Sequence, residues 1–544
     1  MASRSLKIIA RAGVPGAWFL AGMLIAGLGM LADIARARAE AQVVPEIARM
    51  WSEVTLYRDE WGVPHVYADH PRALGFGLGY AEAEDHAESI QFAYRMVRGR
   101  LAAVLGEAYA QSDAFALRMG HATLAAAALN QVDEVTRELC EGFALGFNAW
   151  LADNATQVPA WYDGVRPEDP LALWHAFLTS FAPMDLPLPY RTPPAMETAN
   201  AWALAPSRVK EGNPVLVFSP HQHYDGPFQW SEVHLVMGDM DVYGAALRGV
   251  PVVVMGITPF HGWALTPNFA DTADAFDEFA GLEQAAVRNP KQVGGEQPSD
   301  PATLRSALTL DYMARTVPYY VLKSDGMEER GTPSYIGARG PVFDSNGTLV
   351  SWLIGGYFDF GGIRQLVEMA RARSLDAFRS ALVTRQLPCF HVVYTDATGT
   401  LFYLYNAVGG TRAIPTELLE GPNASRIALP WNRIIPGFAA DWGWREGIPI
   451  EALPACVNPE AGFLQACNTT PWSVTDQGAP KPGLLPPWFV QDRDSFRGAR
   501  VAGLLRQGPY SFAEARALLF DTYAGGAVDP TRALLAAADA MAQA

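Results

Sequence analysis

The segment 197–221 constrains the fold of this chain more than any other stretch. It contains two short apolar runs, Ala201–Ala205 and Val215–Phe218, separated by a polar loop and the turn residues Gly212–Pro214. Two such runs with a Gly-Asn-Pro break between them are typical of a β-hairpin. Alternating runs continue from Trp230 to Thr266, so we expect the hairpin to belong to a larger β structure.

The composition of the chain predicts a folded protein and excludes some classes of binding partner. Of the 544 residues, 50% are hydrophobic and 11% are aromatic, which predicts a large folded core and argues against disorder. The formal net charge is −16, so neither nucleic acid nor an anionic membrane surface is expected as a partner.

The N-terminus has the pattern of a targeting segment. A positive start containing Arg4, Lys7 and Arg11 precedes the apolar run Ala12–Ala32, and Ala37–Ala39 offers a small-x-small cleavage site. We interpret residues 1–39 as a signal peptide of an exported, periplasmic protein. The alternative is an uncleaved anchor in the inner membrane, because the apolar run is long enough to span a bilayer.

The chain has four cysteines. Cys456 and Cys467 bracket a turn-forming sequence, and in an oxidising compartment we expect a disulfide between them, with Cys140 and Cys389 as buried thiols. Their spacing is not that of a zinc site.

Two motifs resemble a known family. Arg58-Asp59, Gly62–His65, then Gly79-Tyr80-Ala81 and Gly99-Arg100-Leu101 are similar to the opening of the small chain of penicillin acylase-type hydrolases. The hairpin, with Asn200, resembles the start of the catalytic chain of penicillin acylases and acyl-homoserine-lactone acylases. The resemblance extends, with gaps, from about residue 54 to residue 505.

The resemblance implies an α+β fold, the four-layer α/β/β/α sandwich of N-terminal-nucleophile hydrolases. It also implies a mainly helical small-chain region, residues 40–197, and a large-chain region, residues 198–544, that ends earlier than in typical members. If the chain is processed, the two regions form a heterodimer. The implied ligand is a small molecule with a linear N-acyl amide, and no organic cofactor is expected.

The family's nucleophile position is altered. Members cut themselves before a Ser-Asn pair and use the new N-terminal serine as the nucleophile, whereas this chain has Ala199 before Asn200. The hydroxyl of Thr198 is the nearest alternative. Since neighbouring residues of a strand point to opposite faces, Thr198 would need a local bulge to replace residue 199. Ala199 alone could also be a substitution that keeps a precursor uncut.

At other functional positions of the family, the residues of this chain match the family's chemistry only in part. The backbone N–H that stabilises the oxyanion falls on Pro267, which has no N–H, and the side-chain amide falls on His391, which is either a substitute donor or a core histidine. Arg412 matches an arginine near the substrate carboxylate side, and His221 matches a position that packs against the nucleophile.

A calcium site is a further implication. Asp271 and Asp274 match carboxylates of the calcium site in related acylases, with Glu168 as a candidate third ligand. Carboxylate oxygens suit calcium. The alternative is that these are solvated turn acids.

Two functional hypotheses remain open from the sequence. In the first, the protein is an exported amidohydrolase with Thr198 as the new N-terminus and His391 assisting the oxyanion. In the second, the single unprocessed chain binds acyl or amide ligands, or an active relative, without catalysis.

Overall fold

The computed structural model describes residues 45–182, 198–280, 301–412, 434–436, 444, 446–483, 485–486, 488–523, 531, 532, 534, 535, 538 and 541. The chain divides into two compact units, residues 1–54 and 55–544. In the first unit, residues 45–53 are helical, while the predicted signal peptide lies outside the described residues. Within the described segments, no helix has the length and apolar character needed to cross a membrane.

Nine of the described strands form one large sheet. They are β1 (Val54–Arg58), β2 (Pro64–Ala68), β5 (Trp230–Met237), β6 (Met240–Leu247), β7 (Val253–Ile257), β8 (His261–Pro267), β15 (Cys389–Asp396), β16 (Leu401–Ala407) and β18 (Ala455–Val457). Their order across the sheet is β1-β2-β5-β6-β7-β8-β15-β16-β18. Strands β2 and β5 are parallel, whereas the pairings from β5 to β18 are antiparallel.

Three smaller sheets account for the other described strands. One contains β3 (Thr198–Leu204), β4 (Val215–His221) and β19 (Phe463–Ala466). Another contains β9 (Ala273–Asp277), β12 (Tyr335–Ile336), β13 (Pro341–Ser345), β14 (Thr348–Ile354) and β17 (Ile435–Pro436). The third is the hairpin of β10 (Thr316–Lys323) and β11 (Gly326–Pro333). The predicted hairpin is thus confirmed as β3–β4.

The helices lie mainly before the hairpin and around the sheets. In chain order the described α-helices are α1 (Pro71–Val97), α2 (Ala102–Leu105), α3 (Ala110–Met119), α4 (His121–Ala128), α5 (Glu134–Asp153), α6 (Asp169–Thr179), α7 (Pro301–Ala314), α8 (Gly362–Arg371), α9 (Leu375–Leu382), α10 (Phe496–Leu505) and α11 (Phe512–Ala517).

Strand β8 shows how the layers are stacked. Because successive side chains of a strand alternate between faces, His261 reaches α8, where its Nε2 lies 3.0 Å from the Met369 carbonyl oxygen. A Cβ on the next residue, Gly262, would lie 3.0 Å from Leu216 of β4. The large sheet therefore has helices on one face and the β3–β4–β19 sheet on the other.

The three-stranded sheet is covered on its far side by α10 and α11. Trp202 and Leu204 of β3 pack in one buried cluster with Leu505 of α10 and Ala515 of α11. The layers run helix, sheet, sheet, helix, which confirms the predicted α+β four-layer sandwich.

Helices α1 and α5 are in backbone contact. A Cβ on Gly146 of α5 would lie 2.0 Å from the Phe76 carbonyl oxygen, and one on Gly142 would lie 2.0 Å from the Arg72 carbonyl oxygen. Real Cβ atoms cannot approach so closely, so only glycine allows this packing.

The predicted disulfide is wrong. All four cysteines are free. Cys456 lies on β18 at the edge of the large sheet, whereas Cys467 follows β19 in the three-stranded sheet. The two thiols therefore belong to different layers.

Candidate active site around Ala199

Strand β3 holds Ala199 in a buried position. β3 and β4 pair in one continuous register from Thr198–His221 to Leu204–Val215, and Ala199 is 2% exposed. Trp202 faces the helix layer, so alternation directs Ala199 toward the large sheet. The backbone of Thr198 continues the regular pairing, without the bulge that would let it replace residue 199.

Asn468 fastens the backbone of residue 199 to the large sheet. The Ala199 N–H donates to Asn468 Oδ1 at 2.9 Å, and Asn468 Nδ2 donates to the Pro267 carbonyl oxygen at 2.6 Å. Asn468 adopts φ +54°, a left-handed conformation that asparagine tolerates better than most residues. This one side chain therefore joins β3 to the end of β8.

Arg497 contributes a positive charge to the same point. It lies in the first turn of α10, and its Nη1 donates to the Ala199 carbonyl oxygen at 2.7 Å and to Asn200 Oδ1. Its Nη2 donates to Asn468 Oδ1 at 2.7 Å. Burial lowers the pKa of Arg497, but a guanidinium remains charged at neutral pH.

His221 completes the polar frame from β4. Its Nε2 lies 3.3 Å from Asn200 Nδ2. Because the amide NH₂ only donates, His221 Nε2 is the acceptor and the imidazole is neutral. That assignment agrees with a lowered pKa of His221, caused first by burial and then by the charge of Arg497.

The arrangement can hold and polarise a polar group but has no nucleophile at residue 199. The side chain is a methyl group, and the Ala199 nitrogen is a hydrogen-bonded peptide N–H. The carbonyl oxygen of Pro267 accepts from Asn468 at this site, and Pro267 has no N–H to offer an oxyanion. An N-terminal serine would supply both a hydroxyl and a free amine.

His391 is engaged elsewhere. It is fully buried on β15, with Nδ1 2.7 Å from the Tyr403 hydroxyl and Nε2 3.3 Å from Asp492 Oδ1. Tyr405 donates to the other oxygen of Asp492. These contacts support the interpretation as a core histidine, and the side-chain amide beside residue 199 comes from Asn468 instead.

Arg412 belongs to a buried ion-pair group. Its Nη2 lies 2.6 Å from Asp271 Oδ1 and its Nη1 lies 2.7 Å from Asp274 Oδ2. Burial raises the pKa of Asp274 to about 7 and raises that of Asp271, against the opposing charge of Arg412. Both of these ion pairs join Arg412 to carboxylates, and neither involves Ala199.

The predicted calcium ligands fit an ion poorly. A guanidinium already binds Asp271 and Asp274, and Glu168 lies at the start of α6. Across the described segments, no group of three or more His, Cys, Asp or Glu side chains is placed to hold a metal. Calcium binding stays a prediction, and these contacts do not favour it.

Asn468 and Arg497 were not predicted as site residues from the sequence. They lie 269 and 298 positions from Ala199 along the chain, and no local pattern connects residues so far apart. One feature of the sequence indicates that Asn468 belongs to the site: this residue follows a short strand, in the sequence Cys-Asn-Thr-Thr.

Together, the four-layer fold and the site at the beginning of β3 define a scaffold of the N-terminal-nucleophile hydrolase class. The chain belongs to the penicillin amidase family, whose model matches residues 53–543.

Curated relatives agree with this assignment. The chain is 24% identical to the acyl-homoserine lactone acylase PvdQ of Pseudomonas syringae pv. syringae (strain B728a), over 90% of this chain and 69% of the relative. It is 23% identical to penicillin acylase 2 proenzyme of Pseudomonas sp. (strain SE83), over 76% and 58%. It is 20% identical to penicillin G acylase of Escherichia coli, over 77% and 60%. The chain thus spans about 58% to 69% of the length of these relatives.

Among solved structures, the thermostable penicillin G acylase from Alcaligenes faecalis is similar with a TM-score of 0.41 and 18% identity. That match covers 58% of this chain and 50% of the other.

Proposed function

We propose that this protein recognises small molecules with a linear N-acyl amide at the site around Ala199. Family membership supports this ligand class, because the relatives are named acylases of acyl-homoserine lactones and penicillins. Both kinds of molecule carry an acyl group on an amide nitrogen.

The observation that carries the proposal is the convergence of polar groups on residue 199. Four polar side chains from separate segments of the chain lie around this backbone position: Asn200 of β3, His221 of β4, Asn468 after β19 and Arg497 of α10. A fixed guanidinium and fixed amides suit a polar, uncharged amide or a carboxylate.

Hydrolysis of the bound amide is the form of this function that family membership favours. It requires cleavage of the chain before Thr198, so that the Thr198 hydroxyl attacks the acyl carbon and the new α-amine takes its proton. The amine is then released, and water hydrolyses the acyl ester.

Binding without hydrolysis is the second form, and three features at the site favour it. Ala199 has no hydroxyl, Pro267 has no N–H, and β3 has no bulge at Thr198. Loss of a nucleophile lowers turnover by roughly 10⁶-fold, and loss of one oxyanion donor by about 10²- to 10³-fold. On these magnitudes, the geometry favours binding over turnover.

We place the protein in the periplasm of a bacterium because residues 1–39 have the pattern of a signal peptide. If that segment is retained, the protein is anchored in the inner membrane. A two-chain form arises only if the chain is cut near residue 198.

Denaturing electrophoresis with N-terminal sequencing separates the two forms. A single chain that binds but does not hydrolyse a chromogenic acyl-anilide supports the binding form. Two fragments, the larger beginning at Thr198, together with hydrolysis that Thr198→Ala abolishes, support the hydrolase. A chain that neither binds nor hydrolyses acyl-amides contradicts the proposed ligand class.

A further inference from the structure

Two aspartates and one arginine form a buried charged group beside strand β9. Asp271 lies just before β9, Asp274 lies within it, and Arg412 follows β16. The three side chains are at most 3% exposed. Because a buried charge is costly without a partner, the contacts among these three side chains decide whether the group is stable.

The guanidinium of Arg412 bridges the two carboxylates. Its Nη2 donates to Asp271 Oδ1 at 2.6 Å, and its Nη1 donates to Asp274 Oδ2 at 2.7 Å. The remaining carboxylate oxygens, Asp271 Oδ2 and Asp274 Oδ1, are buried and have no hydrogen-bond partner in the described part of the chain. Arg412 therefore uses one oxygen of each carboxylate and leaves the other oxygen of each unpaired.

Backbone contacts hold the two aspartates in place independently of Arg412. The Asp271 N–H donates to the Phe489 carbonyl oxygen at 2.9 Å, and Asp274 lies in the antiparallel pairing of β9 with β14. A Cβ on Gly409, just before Arg412, would lie 2.5 Å from the Asp271 carbonyl oxygen. The segment that carries Arg412 is thus packed directly on the segment that carries Asp271.

A guanidinium in this position competes with a metal ion for the same oxygens. The two carboxylates carry two negative charges, which one divalent cation would balance, and a hard cation such as Ca²⁺ prefers oxygen ligands. With Arg412 in contact with both carboxylates, a divalent ion would lie close to a fixed positive charge, and the two cations would repel each other. Arg412 therefore disfavours an ion between Asp271 and Asp274.

We propose that the Arg412 guanidinium takes the place of the calcium ion that the family resemblance implies, and that Asp271 and Asp274 form a calcium site only when Arg412 is removed. The chain as it stands folds independently of calcium. Without the guanidinium, both oxygens of each carboxylate become available, and water and backbone carbonyl oxygens complete the coordination.

Calcium titration of the purified full chain tests the proposal. Isothermal titration calorimetry measures binding, and thermal melts in calcium chloride or in the chelator EGTA measure stability. We compare the wild type with Arg412→Ala and with the double variant Arg412→Ala/Asp274→Asn. Arg385→Ala is the matched control, because Arg385 is a partly buried arginine whose guanidinium donates to two backbone carbonyl oxygens.

The wild type and Arg385→Ala should bind no calcium, and each should melt at the same temperature in calcium as in EGTA. In EGTA, Arg412→Ala should melt at a lower temperature than the wild type, because two buried carboxylates lose their countercharge. It should bind calcium with a Kd of roughly 10⁻⁴ to 10⁻³ M, the range of extracellular calcium modules. Millimolar calcium should therefore recover part of the lost melting temperature.

Addition of Asp274→Asn should abolish this recovery, since it removes one of the two carboxylates. A calcium response of the wild type or of the double variant would overturn the proposal. So would an Arg412→Ala chain that calcium neither binds nor stabilises.

Discussion

Residue 199 sets what the site can do chemically. Its N–H and carbonyl oxygen are held by Asn468 and Arg497, while its side chain contributes only a methyl group. A serine at this position would place a hydroxyl in a frame that already contains a charged donor. Residue 199 therefore lacks only a hydroxyl group, and a single substitution to serine tests the effect of restoring it.

Ala199→Ser should yield two fragments, the larger beginning at residue 199, because the family resemblance implies cleavage before a Ser-Asn pair. Adding Pro267→Ala restores an N–H and should raise amide hydrolysis by about 10²-fold. Ala201→Ser, on the same strand and face, is the control and should remain intact. An uncut Ala199→Ser chain that is folded would show that more than the hydroxyl is absent.

Asn468→Ala should lower the free energy of unfolding by about 1–3 kcal/mol, because the Ala199 N–H and the Pro267 carbonyl oxygen lose their partner in a buried place. Asn346→Ala controls for backbone conformation, since Asn346 has the same φ of +54° but lies in an exposed turn. Chemical denaturation measures both variants. Equal losses would mean that conformation, rather than the hydrogen bonds, accounts for the effect.

At the level of elements, the features that depend on local sequence were predicted, whereas those that depend on contacts between distant residues were not. The β3–β4 hairpin follows from its Gly-Asn-Pro turn and apolar runs, and the pairing confirms it. The Asn468 contact depends on how two distant strands stack, which no local pattern encodes. The same limit explains why the sequence alone did not place His391 with Asp492, or Arg412 with Asp274.

The α1–α5 pair depends on glycine. Gly146→Ala should destabilise the protein by about 1–3 kcal/mol, since a Cβ there would clash with the Phe76 carbonyl oxygen. Gly503→Ala in α10 is the control: a Cβ there meets no atom within 4 Å, and alanine should stabilise that helix by up to about 1 kcal/mol. Thermal melts compare them, and an unchanged melting temperature for Gly146→Ala would contradict the close packing.

At the scale of the whole molecule, buried acids make stability depend on pH. Burial raises the pKa of Glu82 to about 7, although Gly249 N–H and Ser231 donate to it. In the unfolded chain a glutamate ionises at about pH 4.3. The folded state therefore binds the proton of Glu82 more tightly than the unfolded state does. The contribution of this proton to the free energy of unfolding is fully present below about pH 4.3 and is lost as the pH rises to about 7.

Glu82→Gln should remove the pH-dependent contribution of Glu82 to the free energy of unfolding. Relative to the wild type, the variant's free energy of unfolding should rise by roughly 3 kcal/mol between pH 4 and pH 7.5, since each unit of pKa shift corresponds to about 1.4 kcal/mol. Urea denaturation at four or five pH values measures the difference. A difference that does not change with pH would show that Glu82 does not titrate in this range.

A binding and turnover assay on the wild-type chain with an N-acyl-homoserine lactone distinguishes ligand binding from hydrolysis. Isothermal titration calorimetry follows binding, and mass spectrometry follows both the ligand and the protein. We expect saturable binding that Arg497→Met weakens, with the ligand and the chain both left intact. Release of the free homoserine lactone together with a fragment that begins at Thr198 would contradict it.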